Sequence, residues 1–164
     1  MRRFPSFATA TVNLFGRPPS CATSPTATAR RPIWPEHLPA RTRIDQWAEW
    51  AKVNVVLNFT GSIFWRVVRT PPRQRDASAI GEAIRVLDCY LDIAETRLER
   101  AAYLCGNDLT LADVQLGHIL YRYFDIDIER RERANLRGYY ERLVRRPAYR
   151  EHVMISYEDL RAAD

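Results

Sequence analysis

Beyond Pro39, apolar residues recur at helical spacing through the rest of the chain. The clearest case is a helix predicted from about Asp76 to Tyr103, whose charged residues, Asp92 and Glu99 among them, lie away from a single apolar stripe. The stripe advances by alternating steps of four and three residues: Ile80, Ile84, Leu87, Leu91, Ala94, Leu98 and Ala101. This spacing predicts an amphipathic helix with one buried face.

Four other segments also have helical patterns. The predicted segments are a first helix from Ala40 to Arg69, a third from Thr110 to about Phe124, a fourth from about Glu132 to Arg145 and a fifth from Ala148 to Val153. Pro71 and Pro72 end the first helix, and Pro147 suits the first turn of the fifth. The third carries no charge between Val114 and Tyr121, so we expect it to be buried on most sides. No strand pattern of useful length appears, so the pattern predicts an all-α bundle of about five helices.

The first helix is too apolar for one buried stripe. Ten of the sixteen residues from Val53 to Val68 are apolar, and on an ideal α-helix they cover nearly the whole circumference. One interpretation is that the helix has partners on two sides, its own bundle and a second subunit, domain or ligand. The other is that it is simply the central helix, a position for which the third helix competes. The pattern leaves both open.

Residues 1–31 read as an irregular, disordered tail, followed by a helical domain over residues 32–164. Seven of the ten prolines precede residue 40, and the five arginines before residue 36 stand without an acidic residue. From Glu36 onward the chain has 20 basic and 20 acidic residues. A body without a basic face argues against nucleic acid as a partner, and the longest apolar run, Val53 to Trp65, is too short and polar to span a membrane. We therefore expect a cytoplasmic protein.

The sharpest local motif begins the third helix. Thr110 and Asp113 have the spacing of a capping box, in which each side chain bonds the other residue's backbone amide, and Leu109 and Val114 can form the accompanying hydrophobic staple. Such a box is worth about 1 to 2 kcal/mol. We predict a structural role for this pair, since a buried helix needs help to nucleate.

No residue pattern indicates a catalytic or metal site. Cys21, Cys89 and Cys105 are far apart and have no His at ligand spacing, so we predict no metal. Cys105 and His118 lack an evident third partner and are interpreted as a small hydrophobic thiol and a core or interface histidine. The residue patterns by themselves therefore indicate an all-helical domain of undefined task.

Several segments, in order along residues 32 to 157, resemble the C-terminal domain of glutathione S-transferases of bacterial type. The turn and capping box from Tyr103 to Asp113 resemble the start of that domain's core helix. The other matching segments are Ile33-Trp34-Pro35-Glu36 with the interdomain linker, residues 43–50 and 64–72 with the start and end of the first helix, and residues 139–143 and 146–149 with the closing helices. The resemblance implies a glutathione S-transferase C-terminal-like bundle.

The resemblance also implies a function shared with a second domain. In this family a thioredoxin-like N-terminal domain binds glutathione and activates its thiol, and residues 1–31 match no part of it. No residue here is therefore expected to be catalytic, no cofactor is expected in this chain, and glutathione is the family co-substrate. The helical domain would supply the wall of the pocket for a small hydrophobic electrophile, for which Trp50, Asn54 and Asn58 on the first helix are the candidate substrate-binding residues. The resemblance further implies a homodimer through the first two helices.

Two other interpretations compete with that of one domain of a two-domain enzyme. The chain is alternatively a non-enzymatic protein-interaction module, or the product of a truncated gene or misassigned start. Under the family interpretation, the chain alone is expected neither to bind glutathione nor to conjugate aryl halides, because the groups that lower the thiol pKa are missing from it.

Overall fold

The computed structural model describes residues 33–162, which form five helices and no β-strand within that range. The predicted tail, residues 1–31, lies outside the described residues. Four of the helices are α2 (Ala77–Leu98), α3 (Leu111–Asp125), α4 (Ala134–Val144) and α5 (Pro147–His152). Helix α1 is one continuous rod of five pieces: α-helical over Leu38–Trp50, π-helical over Ala51–Val56, α-helical over Leu57–Phe59, π-helical over Thr60–Phe64 and α-helical over Trp65–Val68. Short 3₁₀ turns occupy Pro72–Gln74 and Glu158–Leu160. The all-α prediction is confirmed.

The π-helical pieces explain the excess of apolar residues on α1. Its buried residues Ala51, Val55, Phe59, Ile63 and Val67 follow one another at steps of four. Steps of four drift around an α-helix, which has 3.6 residues per turn, but stay on one face when wider π turns alternate with α turns. The apolar residues of α1 thus divide into an inner face and an outer face, rather than covering the whole circumference as an ideal α-helix predicts.

Helix α3 packs against both α1 and α4. Its buried residues include Leu116, Gly117 and Leu120, which confirms that most of this helix is enclosed. Within the uncharged stretch from Val114 to Tyr121, Val114 is the exception and is exposed. Helix α3 is therefore more enclosed than α1, which leaves Val53 and Leu57 exposed.

Helix α2 ends five residues earlier than predicted, at Leu98 rather than Tyr103. The following residues turn instead: Tyr103 and Gly106 exchange two backbone hydrogen bonds of 2.8 and 3.2 Å, and Gly106 has a φ of 144°, which favours glycine. The Arg97 side chain donates from Nε to the Leu104 carbonyl oxygen at 2.7 Å. The apolar spacing continues to Ala101 and predicts more helix, but the turn and its tertiary hydrogen bond to Leu104 end the helix earlier.

Carboxylates of α2 hold the start of α4 in place. Arg133, whose side chain is only 4% exposed, forms ion pairs with Asp88 at 2.8 Å and Asp92 at 2.7 Å. Glu95 accepts hydrogen bonds from the backbone amides of Asn135 at 3.0 Å and Leu136 at 2.7 Å. A carboxylate at these free amides stabilises the N-terminus of α4.

The C-terminal segment returns to the end of α1. The Ala162 amide donates to the Val68 carbonyl oxygen at 2.8 Å, and the ring of Tyr157 packs edge-on against Phe64, with centroids 5.2 Å apart. The Tyr157 hydroxyl donates a short hydrogen bond to Asp125 at the end of α3. The second half of α1 is therefore enclosed by α3 and by this segment.

Candidate functional site

The three residues predicted to bind substrate lie at steps of four along α1. Trp50, Asn54 and Asn58 are all half-buried. The Asn54 side chain donates from Nδ2 to the Trp50 carbonyl oxygen at 3.1 Å, and that of Asn58 donates to the Asn54 carbonyl oxygen at 2.8 Å. Asn58 Nδ2 also donates to the Val53 carbonyl oxygen, at 3.5 Å. Since these amide nitrogens already bond the helix backbone, the group that each amide offers a ligand is its Oδ1 acceptor. Whether they contact a substrate stays a prediction.

Two exposed aliphatic side chains lie among these residues. Val53 is 51% exposed and Leu57 is 60% exposed. We call Trp50, Val53, Asn54, Leu57 and Asn58 together the outer face of α1. Trp65, further along α1, is half-buried, with the Arg69 guanidinium 3.9 Å from its ring centroid. An apolar surface interrupted by amides is suited to a mainly hydrophobic ligand or partner.

Helix α2 carries a second exposed apolar strip. Val86, Cys89 and Ile93, which we call the α2 strip, occur at steps of three and four and are all exposed. Residues at this spacing share one helix face. The first two helices therefore each present an apolar surface outside the core.

The structure places Thr110 and Asp113 at the N-terminus of α3, where both arms of the capping box are present. The Thr110 amide donates to Asp113 Oδ2 at 2.8 Å, and the Thr110 hydroxyl donates to the same oxygen at 2.9 Å. Asp113 Oδ1 accepts from the Leu104 amide at 2.9 Å and from the Tyr139 hydroxyl at 3.2 Å. Asp113 therefore joins the preceding turn, α3 and α4, which is more than a helix cap does.

Asp113 is only 1% exposed, and its environment changes its acidity. Burial raises the pKa of Asp113, against the hydrogen bonds from Leu104 and Thr110 that stabilise the charged form. All four donors belong to the folding network of the domain, so the geometry assigns this carboxyl a structural task. The capping-box spacing indicates Thr110 as its partner, but it gives no signal for Leu104 or Tyr139.

Cys105 and His118 do not form a nucleophile and base. The Cys105 sulfur lies 3.9 Å from the Arg43 carbonyl oxygen, and burial raises the pKa of its thiol, so the reactive thiolate is disfavoured. His118 lies in the middle of α3 with Nδ1 3.3 Å from the Val114 carbonyl oxygen. Among residues 33–162, no group of three His, Cys, Asp or Glu side chains is arranged to hold a metal ion. No helix in that range combines the length and the apolarity that crossing a bilayer requires.

Comparison with known proteins gives consistent matches. Residues 56–147, more than half of the chain, match the family described as glutathione S-transferase, C-terminal domain. Glutathione S-transferase GstB of Escherichia coli K12 is 28% identical over 123 residues, which are 75% of this chain and 59% of that protein. Glutathione S-transferase TCHQD of Arabidopsis thaliana is 35% identical over 85 residues, 50% of this chain and 32% of that protein.

Solved structures agree with the sequence matches. The theta class glutathione S-transferase of Xanthomonas axonopodis pv. citri, crystallised with glutathione bound, superimposes with a TM-score of 0.71 at 34% identity, covering 76% of this chain and 65% of that one. Its apo form gives a TM-score of 0.72 at the same identity, covering 66% of that chain. This chain thus spans about three fifths of the length of GstB and about two thirds of the theta class enzyme. From the matched helices and the shared fold, the chain belongs to the glutathione S-transferase family.

Proposed function

We propose that this helical domain forms the wall of a hydrophobic electrophile pocket used in glutathione conjugation. The observation that carries the proposal is the outer face of α1, where Val53 and Leu57 are exposed beside Trp50 and two asparagine amides. An aromatic or alkyl electrophile would bury these aliphatic side chains, and the free Oδ1 atoms of Asn54 and Asn58 would accept hydrogen bonds from its polar substituents. The reaction itself is attack of a glutathione thiolate on the electrophile.

In this proposal glutathione is a co-substrate that other residues bind and activate. Asp113 is bonded within the fold, and burial disfavours the thiolate of Cys105. The 164-residue chain alone is therefore expected to be inactive. We expect it to pass through immobilised glutathione without retention and not to conjugate 1-chloro-2,4-dinitrobenzene. The theta class glutathione S-transferase of Xanthomonas axonopodis pv. citri, crystallised with glutathione bound, is the positive control for retention. Saturable retention, or turnover that persists through purification, would contradict this part of the proposal.

Electrophile binding can be tested without turnover. Nitroaromatic compounds quench tryptophan fluorescence on contact, so titration with 1-chloro-2,4-dinitrobenzene should quench Trp50. Trp50→Phe should remove most of the quenching, whereas Trp34→Phe, a change outside α1, should preserve it. Leu57→Asp should weaken binding because it places a charge on the apolar face. Unchanged quenching in both Trp50→Phe and Leu57→Asp would place the ligand elsewhere and reject the pocket wall.

We propose further that the first two helices form a homodimer interface. The α2 strip is exposed, and the outer face of α1 adds the exposed aliphatic side chains of Val53 and Leu57. Exposed apolar surfaces on monomers tend to bind another surface. Light scattering over a concentration series should give a dimer mass. Ile93→Asp should shift the chain to monomer, and Ile155→Asp, at an exposed isoleucine outside these helices, should not. A monomer mass for the unmodified chain at every concentration would reject the interface.

The second candidate function is a non-enzymatic interaction module, and the α2 strip favours it because that strip includes none of the predicted substrate-binding residues. The two functions differ in what a substitution on the outer face of α1 does to the chain's task. For a module, Leu57→Asp weakens quenching by the nitroaromatic probe without changing partner binding through α2. For the enzyme domain, the same variant weakens electrophile binding, which is the part of the reaction that this chain would supply.

A further inference from the structure

A cavity of about 210 Å³ lies between the second half of α1, α3 and the C-terminal segment. Its walls are three aromatic rings, two other apolar side chains and three polar ones: Phe59, Phe64, Trp65, Ile119, Leu160, Thr60, His118 and Arg122. The cavity includes none of the predicted substrate-binding residues, so it is a separate site from the outer face of α1. Trp65 and His118 are half-buried and Leu160 is 38% exposed, so the cavity has a side open to solvent.

The volume sets the size of the ligand. An apolar cavity of about 150 Å³ holds one benzene molecule, while sites for drug-sized ligands measure about 300 to 1,000 Å³. The cavity of about 210 Å³ therefore accommodates one aromatic ring with a small substituent.

The apolar walls suit an aromatic ring. Phe59 and Phe64 are buried with ring centroids 5.9 Å apart, and Phe64 and Trp65 meet in a T-shaped arrangement at 4.9 Å. Aromatic rings prefer such edge-to-face and offset contacts, and a ligand ring placed against these three would make further contacts of the same kind.

Arg122 supplies the charge. Its guanidinium carbon lies 5.8 Å from the Phe64 ring centroid, and within residues 33–162 it has neither a hydrogen bond nor an ion pair. Two other arginines near this helix do have polar partners: Arg133 pairs with two aspartates, and Arg130 donates to the Tyr123 carbonyl oxygen at 2.7 Å. A half-buried guanidinium beside an aromatic wall binds a carboxylate through two parallel hydrogen bonds.

His118 is uncharged near neutral pH, so Arg122 is the positive charge in the cavity lining. Burial lowers the pKa of His118, so the imidazole is neutral near pH 7, and its Nδ1 faces the Val114 carbonyl oxygen. The lining includes no carboxylate that would repel an anion. The lining has one cation, three aromatic rings and no acidic side chain, so the complementary ligand is an aromatic anion.

We propose that this cavity binds a monocyclic aromatic carboxylate, with its ring against Phe64 and Trp65 and its carboxylate on Arg122. The site needs no glutathione and goes beyond the proposed function. Its test can therefore fail while the tests of the outer face of α1 succeed, and the reverse also holds. The competing interpretation is that Arg122 only covers the aromatic rings with its aliphatic stem. A charge preference in the ligand separates the two, because packing alone does not distinguish an acid from an alcohol of the same shape.

The experiment compares benzoate with benzyl alcohol on the full 164-residue chain by ligand-observed saturation-transfer NMR over a concentration series. Benzoate should bind about tenfold more tightly, the effect of one charge-assisted contact. Arg122→Gln should reduce benzoate affinity to that of the alcohol and leave the alcohol unchanged. Arg69→Gln, which removes the guanidinium on Trp65 from outside the lining, is the matched control and should leave both affinities unchanged.

A second variant tests the location of the ring. Thr60→Leu adds apolar bulk to the cavity wall and should weaken both ligands by the same factor, with far-ultraviolet circular dichroism confirming that the helices persist. Equal affinities for benzoate and benzyl alcohol, or an Arg122→Gln variant that still prefers benzoate, would overturn the proposal. So would unaltered binding of both ligands to Thr60→Leu.

Discussion

The two halves of α3 use their polar side chains in opposite ways. At the N-terminus, Asp113 is buried and accepts four hydrogen bonds from groups of the same domain. In the second half, Arg122 and His118 line a cavity, and Arg122 has no bonded partner within the described range. Polar groups that the fold satisfies contribute to stability, whereas those directed into an unfilled space contribute to it little. The difference separates a structural end of the helix from a candidate binding end.

The largest expected effect is at the structural end. Asp113→Ala leaves the buried amides of Leu104 and Thr110 and the Tyr139 hydroxyl without their acceptor, and each such donor costs about 1 to 3 kcal/mol. We expect the free energy of unfolding in urea to fall by about 3 kcal/mol or more. That is larger than a capping box alone provides.

Thr110→Ala is the companion measurement for this prediction. It removes the hydroxyl but not the Thr110 amide, so we expect a loss of about 1 kcal/mol. The double variant should lose less than the sum, because both changes break the same box. Strict additivity would show that the two side chains do not act together.

Packing limits the middle of α3, between its two polar regions. A Cβ atom at Gly117 would lie 2.7 Å from Leu143 Cδ1 and 3.7 Å from Tyr149 Cε2, so Gly117→Ala forces buried side chains of α4 and α5 to move. Overpacking costs about 1 to 3 kcal/mol, and the better helix propensity of alanine returns about 1. We expect a net loss of about 1 kcal/mol in the free energy of unfolding.

Gly81→Ala on α2 is the control for this crowding. A Cβ there meets only the Arg85 side chain, at an ordinary 3.9 Å, so the substitution should stabilise the protein by up to about 1 kcal/mol. Leu143→Val combined with Gly117→Ala should be less destabilised than the two single changes predict. A Gly117→Ala variant as stable as Gly81→Ala would mean that the bundle has room at this contact.

The pH dependence of stability tests the electrostatics of the structural end. Because burial raises the pKa of Asp113, the folded protein holds this proton at pH values where the unfolded chain has released it. The contribution of this proton to folding stability is complete below the pKa of aspartate in the unfolded chain, and it decreases as pH rises through the raised pKa of the folded state. The stability advantage of the unmodified chain over Asp113→Asn should therefore shrink as pH increases from about 4, where unfolded aspartate titrates.

Taking the difference between these two proteins cancels the contributions of all other groups, because both proteins share them. Urea unfolding at a series of pH values measures it. An advantage that grows with pH would show that the amide hydrogen bonds to the charged form outweigh its burial.

The sequence was sufficient for the elements but not for the faces of α1. Helix positions, the two proline boundaries and the capping box depend on neighbours within a few residues, and these local signals gave the bundle. The outer face was hidden because an ideal α-helix, with 3.6 residues per turn, places buried Val67 within about 40° of exposed Val53. The π turns separate such residues into buried and exposed sets.

The partners within each site escaped prediction for a related reason. Tyr139 is 26 residues from Asp113, and the cavity joins α1, α3 and the segment around Leu160. No periodic pattern connects positions so far apart, and Arg122 in sequence is an ordinary charged residue near a helix end. The early end of α2 has the same origin, since Leu104 is bonded by Arg97 and Asp113 rather than by a helical turn.

The smallest expected effect is at the binding end. Arg122→Gln removes a charge that has no bonded partner within residues 33–162, so we expect the free energy of unfolding to change by no more than about 0.5 kcal/mol. Arg133→Gln is the matched control, since it breaks a buried pairing with Asp88 and Asp92 and should cost about 3 kcal/mol. Urea unfolding of both variants at pH 7 makes the comparison. A loss at Arg122 as large as that at Arg133 would mean that its guanidinium is already committed to the fold, and the contrast between the two halves of α3 would disappear. A near-neutral Arg122→Gln, by contrast, means that the fold does not need this cation for its stability, as expected of a side chain held for a carboxylate ligand.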